Sequence, residues 1–290
     1  MELPERVVVV EVGPRDGLQN ESFILETDFK VDLLNCLIKA GFERIEVTSF
    51  VHPRWIPQLK DAGEVLRKVG LPPGTRLSAL VPNLKGYQRA RAGGIKEVNI
   101  VLSASESHNM KNVNRSIKES LLDFQVITEA AHRDGILVRG SVAVSFGCPY
   151  EGKVEPHKVL GIVSRLWEIG CYEVVLADTT GVANPLQVYN LFSSILERIA
   201  GISVAAHFHD TRGMGLANVL AALQAGVRVF DSSVGGLGGC PYAPGAPGNI
   251  ATEVLLNMLA EMNIETGVDL FRVGECAAKL KEVLECNVKG

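Results

Sequence analysis

His207 and His209 in "AAHFHD" (205–210) are separated by one residue and followed at once by Asp210. In a β-strand alternate side chains leave the same face, so both imidazoles would project together. Two neutral ring nitrogens on one face suit a metal ion; two unrelated strand histidines are the plainer reading. Other residues of the same chemical kind are Arg15 and Asp16 in "GPRDGLQNE" (13–21), Glu46 between Ile45 and Val47, Asp178 ahead of "TTG", and Cys240 with Asn249 in "GGLGGCPYAPGAPGN" (235–249). Singly, each has an ordinary explanation. Asp16 before Gly17 suits a surface turn, Glu46 could pair with Arg44 or with a cation of a neighbouring strand, and Asp178 suits a turn. Two imidazoles and a carboxylate fit zinc or non-heme iron, whereas an added amide oxygen such as that of Asn249, with waters, favours Mg²⁺ or Mn²⁺. The residues alone leave the metal open.

The elements that must carry these groups alternate along the whole chain. Strands are expected over 6–12, 44–50, 75–81, 97–103, 136–145, 172–178, 202–209 and 228–234, each a β-branched run. Between them apolar residues recur at i, i+3, i+4 and i+7, as in 28–41 and 116–135. The second of these opens with Ser116 and Glu119 at capping-box spacing and closes on Gly135. Eight βα units imply parallel strands closed into a (β/α)8 TIM barrel, α/β in class, read as a single domain over 1–290 with a C-terminal helical extension. A doubly wound sheet would carry G-x-G-x-x-G after its first strand, and neither that fingerprint nor a P-loop occurs. In such a barrel the active site lies at the C-terminal ends of the strands. The chemical residues collect at those ends, five strands delivering ionisable groups to one mouth. The stretch 235–248, with six glycines and three prolines, reads as a mobile lid over it.

The chain of 290 residues is 47% hydrophobic with a net charge of −4, which excludes nucleic acid and anionic membranes as expected partners. No run of 18 apolar residues exists to span a bilayer, and the N-terminus reads as a strand instead of a signal peptide. The six cysteines are scattered without a C-x-x-C pair and are expected to be reduced, in a cytoplasmic location, with Cys36 a small buried hydrophobe and Cys276 and Cys286 structural.

"VEVGPRDGLQNE" (10–21), "IEVTSFVHPRWIPQ" (45–58), "KNVNRSIKES" (111–120), "AHFHDTRG" (206–213) and "GLGGCPYAPGAPGNIATE" (236–253) together resemble the 3-hydroxy-3-methylglutaryl-CoA lyases, which belong to the DRE-TIM metallolyases. The likeness runs from residue 6 to about 270. It implies a (β/α)8 barrel, Mg²⁺ or Mn²⁺ as cofactor, and cleavage of 3-hydroxy-3-methylglutaryl-CoA to acetyl-CoA and acetoacetate. It implies metal ligands at Asp16, His207, His209 and Asn249, and catalytic groups at Arg15, Glu46, Asp178, His207 and Cys240. Substrate contacts are implied at Arg15, Gln19, Lys111 and Asn112, the last two in a loop against coenzyme A, and a homo-oligomer, most simply a dimer, is the expected assembly. Where the family usually has an aromatic, this chain has Arg212, which reads as a surface change.

The chemistry implied is a retro-Claisen cleavage. The C3 hydroxyl loses its proton as the C2–C3 bond breaks, and the thioester receives the electron pair as an enolate. Arg15 suits the developing enolate oxygen, Cys240 the proton at the acetyl carbon, and Asp178, Glu46 or His207 the hydroxyl proton. Longer 3-substituted glutaryl-CoA esters are an alternative substrate. A 2-isopropylmalate-synthase-like carboligase is disfavoured because those relatives typically read "DTTLRDG" at the first strand and lack the cysteine loop. A metal-dependent hydrolase would ordinarily carry its H-x-H after the first strand. A non-catalytic barrel that binds acyl-CoA or metal would show lost catalytic residues, and none is missing.

Overall fold

Residues 3–238 and 248–288 are described by the computed structural model. Its strands are β1 (Val8–Glu11), β2 (Arg44–Ser49), β3 (Arg76–Leu80), β4 (Glu97–Ser103), β5 (Leu137–Ala143), β6 (Glu173–Asp178), β7 (Val204–Phe208) and β8 (Val229–Ser232). All are parallel and pair in chain order, and β1 closes on β8 through Val8↔Val229 and Val10↔Asp231. The observed strands fall inside the expected runs and are mostly shorter, because ladder pairing ends where the chain turns into the connecting loops. The helices are α1 (Thr27–Lys39), α2 (Ala62–Val69), α3 (Leu84–Ala92), α4 (Glu106–Val113), α5 (Ile117–Arg133), α6 (Pro156–Glu168), α7 (Pro185–Arg198), α8 (Gly215–Ala225), α9 (Thr252–Glu261) and the C-terminal extension α10 (Leu270–Val288). The architecture is a (β/α)8 TIM barrel.

Strand residues of one parity face the helices. Val9, Ile45, Val98, Val142, Leu176, Phe208 and Phe230 join the large apolar core with the helix faces. The other parity enters the lumen, where Val10, Val12, Val175, Ala205 and Val229 form a small separate cluster. Burial on both sides explains why the strands read as near-continuous apolar runs. The start of α5 carries the capping box in full, since Ser116 and Glu119 each bond the other's backbone N–H. Gly135 beyond its end has φ +67°, a conformation that costs glycine little.

Two expectations are corrected. Lys111 and Asn112, expected in a loop, fall within α4, whose two turns run from Ser105, which accepts from His108 N–H, to Asn114 in the left-handed region at φ 54°. Cys36 and Cys276 are not reduced thiols but a disulfide that joins α1 to α10 across 240 residues of sequence, with Cα atoms 6.0 Å apart. Helix packing, which no sequence spacing announces, places the two sulfurs side by side. Cys148 and Cys171 are free and buried.

Candidate active site

His207 is the fourth residue of β7, and His209 follows that strand. Strand alternation sends both rings the same way, and their centroids lie 5.4 Å apart. Across the mouth, the chain leaving β1 forms one five-residue π-helical turn, Gly13–Gly17, which presents Arg15 and Asp16. Such turns are uncommon and frequent at functional sites. A nitrogen of each histidine and an oxygen of Asp16 all lie within 4.8 Å of one another, and the closest of the His207–Asp16 approaches is Nε2 to Oδ2 at 3.9 Å. That is too long for a hydrogen bond, yet two donors on a common ion at about 2.1 Å each fit this spacing.

The environments of Asp16 and His209 favour their metal-ready forms, whereas His207 is raised, burial being outweighed by its hydrogen bond to Asp231 and the charge of Asp16. Asp16 is lowered to about 2: burial opposes ionisation, but Arg15 first, then His207 and His209, more than offset it. His209 is lowered to about 4 by burial, then by His207, so its ring is neutral, and its buried Nδ1 has no hydrogen-bond partner among the described residues. An orphaned, neutral, buried imidazole nitrogen beside an ionised carboxylate fits a cation ligand. Asn249 reaches Asp16 Oδ2 at 2.9 Å and the Leu237 carbonyl at 3.0 Å, both through Nδ2, and its backbone bridges to that of His209. It therefore stands at the site as a donor, and would serve as a ligand through Oδ1.

Arg15 donates from Nε to Glu46 Oε2 at 2.7 Å and pairs through Nη1 with Asp16 Oδ1 at 2.5 Å. Gln19 donates to the same Asp16 oxygen at 3.0 Å. Glu46, 1% exposed, accepts from Asn99 at 3.0 Å, and Ser141 donates to Asn99 at 2.8 Å. Of the two plain partners for Glu46, Arg44 pairs instead with Glu97 and Glu173, and the cation of the neighbouring strand, Arg15 after β1, takes Glu46. Asn99 and Ser141 were not singled out from sequence; polar side chains of the lumen-facing parity within otherwise apolar strands were the available signal.

Asp178 ends β6, and its carboxylate accepts from Val182 N–H and Ala183 N–H at 3.0 Å each. It does the work of a turn aspartate, and burial holds it up at about 6, with His207 and Arg212 acting electrostatically in the other direction. Arg212 is exposed. Lys111 and Asn112 are exposed on the last turn of α4, which follows β4, and Lys111 Nζ lies 3.7 Å from the centre of the Tyr150 ring. Cys240 and most of the glycine-rich stretch lie outside the described residues.

The mouth thus brings together Arg15, Asp16, Gln19, Glu46, His207, His209 and Asn249 from the ends of β1, β2, β7 and β8. Comparison with known proteins gives the family of the chain. The chain is 52% identical over 274 residues to the mouse protein named 3-hydroxy-3-methylglutaryl-CoA lyase, cytoplasmic, covering 94% of this chain and 80% of the mouse one. The crystal structure of the Bacillus subtilis HMG-CoA lyase superposes with a TM-score of 0.96 at 45% identity, covering 98% of this chain and 96% of that one. An HMG-CoA lyase from Acinetobacter baumannii, in complex with coenzyme A and 3-methylmalate, superposes at 0.93 with 44% identity, covering 98% and 93%. The HMGL-like family model matches residues 6–279, the whole barrel and the first half of α10, and the chain belongs to that family.

Proposed function

We propose that the protein is a hydroxymethylglutaryl-CoA lyase, a carbon–carbon lyase that cleaves 3-hydroxy-3-methylglutaryl-CoA into acetyl-CoA and acetoacetate. The observation that carries this reading is the meeting of Asp16, His207 and His209 beside the Arg15–Glu46 pair, in a chain that matches this family over residues 6–279.

The donor set of two imidazoles, a carboxylate and a nearby amide suits Mg²⁺ or Mn²⁺, held by Asp16, His207, His209 and Asn249. Such a cation supplies orientation and added acidity to the substrate hydroxyl. Arg15, fixed by Glu46 and Asp16, faces the charge that gathers on the thioester oxygen as the C2–C3 bond breaks. Asp178, Glu46 and His207 are the candidates for the hydroxyl proton; Glu46 and His207 stand at the mouth, and the Asp178 carboxylate, bonded to Val182 N–H and Ala183 N–H, would have to leave those partners to serve. Cys240 is the candidate for delivering a proton to C2, which completes acetyl-CoA and leaves acetoacetate. Gln19, Lys111 and Asn112 are the proposed further substrate contacts, with the Lys111 end of α4 set against coenzyme A, a ligand present in the Acinetobacter relative.

No helix among the described residues is long and apolar enough to cross a membrane. A cytoplasmic location, as in the name of the mouse relative, belongs to the proposal, and there the Cys36–Cys276 bond would be one of the uncommon disulfides of a reducing compartment. A homodimer is the proposed assembly, to be checked by sedimentation. The activity is tested by following acetyl-CoA and acetoacetate release from 3-hydroxy-3-methylglutaryl-CoA, beside an ester with a longer C3 substituent. Equimolar release of both products is expected from the methyl ester. No release from either ester would refute the reading, and release from the longer ester alone would replace the substrate.

A further inference from the structure

The lumen of a parallel barrel is ordinarily filled by layers of branched apolar side chains. Here a run of charges crosses it. Arg44, Glu97 and Glu173 are the first residues of β2, β4 and β6, and Arg44 meets Glu97 at 3.0 Å and Glu173 at 2.9 Å. Arg139 of β5 donates from Nε to Glu173 Oε1 at 2.7 Å. Its fork extends to β8, Nη2 to Asp231 Oδ1 at 2.7 Å and Nη1 to Oδ2 at 3.1 Å. Asp231 Oδ2 in turn meets His207 Nδ1 at 3.3 Å. Strand register fixes the ends of this path, since Arg139 is opposite Glu173 and His207 is opposite Asp231.

We infer that Asp231, clamped by Arg139, is a positioning residue that sets the tautomer and rotation of His207, so that Nε2 presents its lone pair towards Asp16. The inference rests on the metal reading above. A carboxylate only accepts, so the hydrogen of this contact resides on His207 Nδ1 and the neutral ring has a bare Nε2. Nε2 is the atom 3.9 Å from Asp16 Oδ2. The planar guanidinium engages both oxygens of Asp231 and so fixes the plane of the carboxylate, which a lysine ammonium would not do. Burying so many charges is a poor route to stability, because desolvation offsets most of their attraction. Orienting a ligand is a function that repays it, as partners behind ligating histidines elsewhere raise metal affinity by about 10- to 100-fold.

The test compares wild type, Asp231→Asn and Arg139→Lys by Mn²⁺ titration monitored by electron paramagnetic resonance, by thermal melting, and by nitrogen-15 NMR of the histidine rings in metal-free protein at alkaline pH. In wild type the His207 ring is expected as the Nδ1–H tautomer. Asp231→Asn should mix the tautomers and raise the Mn²⁺ dissociation constant about 10- to 100-fold. Arg139→Lys, which keeps the charge that Asp231 needs, should raise it about tenfold with a smaller loss of melting temperature. If Asp231 only neutralised Arg139, melting temperatures would fall while Mn²⁺ affinity and tautomer stayed as in wild type, and the inference would be overturned. Should Asp231→Asn not fold, an Nε2–H ring at His207 in the wild type overturns it equally. Absence of Mn²⁺ binding in wild type would instead defeat the metal reading, whatever the tautomer.

Discussion

Arg15 meets Glu46 through two nitrogens on one carboxylate oxygen, Nε at 2.7 Å and Nη2 at 2.5 Å from Oε2. The guanidinium after β1 is therefore aimed by a carboxylate in β2, and its charge is part of a rigid mouth instead of a mobile surface side chain. Replacing Arg15 by Lys retains the charge and removes the planar fork. Turnover of 3-hydroxy-3-methylglutaryl-CoA should fall about 100- to 1,000-fold with little change in KM, because the charge it meets exists only near the transition state. Steady-state kinetics checks this. A rise in KM at normal turnover would make Arg15 a substrate clamp.

Glu11 is wholly buried under the mouth and takes hydrogen bonds from Gly13 N–H, Val234 N–H and the Thr252 hydroxyl at 2.7, 3.0 and 2.8 Å. It pins the turn that carries Arg15 and Asp16 to the chain that leaves β8. Burial raises it from 4.5 to about 7 against those hydrogen bonds. A carboxyl raised on folding stabilises fully below its unfolded value, and that contribution is lost as pH climbs through the folded one. Between pH 4.5 and 8 this amounts to roughly 3 kcal/mol. Glu11→Gln keeps an acceptor for both N–H groups and a donor for Thr252, so it should flatten the decline of melting temperature with pH across this window. An unchanged pH profile would contradict the assignment.

The Cys36–Cys276 disulfide closes a loop of most of the chain and ties the C-terminal helix to α1. Peptide mapping without reductant should recover the linked pair. Cys36→Ser should lower stability by about 2–4 kcal/mol while leaving turnover at 25 °C nearly intact, because neither sulfur belongs to the mouth. Equal melting temperatures for the oxidised protein and the variant would contradict this.

Cys240 is assigned by motif alone. If it moves a proton, Cys240→Ser should cut turnover while metal content and melting temperature stay at wild-type values, and a thiol reagent should inactivate the wild type at this residue. Cys171, whose thiol burial pushes up to about 12, should react far more slowly. Normal turnover in Cys240→Ser would assign the proton to another group or to water.

What could be read from the sequence follows from period and burial. The eight strands were legible because a parallel strand covered on both faces must be apolar throughout, and α5 was legible from the Ser116–Glu119 box. The two-residue spacing of His207 and His209 carried the site, since strand alternation leaves one outcome for it. Other parts left little trace. Asp231 and Arg139 look like ordinary polar residues until register places them opposite His207 and Glu173. The polar segment of Lys111 and Asn112 reads as a loop, yet a serine cap at Ser105 and a left-handed Asn114 delimit a short helix there. Cys36 and Cys276 are 240 residues apart, and only the packing of α10 on α1 brings them together.

The central claim is that Asp16, His207 and His209 hold a divalent cation on which cleavage depends. Its most direct measurement is Mn²⁺ binding to chelator-treated protein by electron paramagnetic resonance, wild type beside His209→Ala, with acetyl-CoA release followed on the same samples. The wild type should bind a single Mn²⁺, lose activity when stripped and regain it with Mg²⁺ or Mn²⁺. His209→Ala should bind at least about tenfold more weakly and lose most activity, yet melt near the wild-type temperature, because a mouth residue contributes little to the core. Full activity in the stripped wild type, or unweakened Mn²⁺ binding in His209→Ala, would contradict the account.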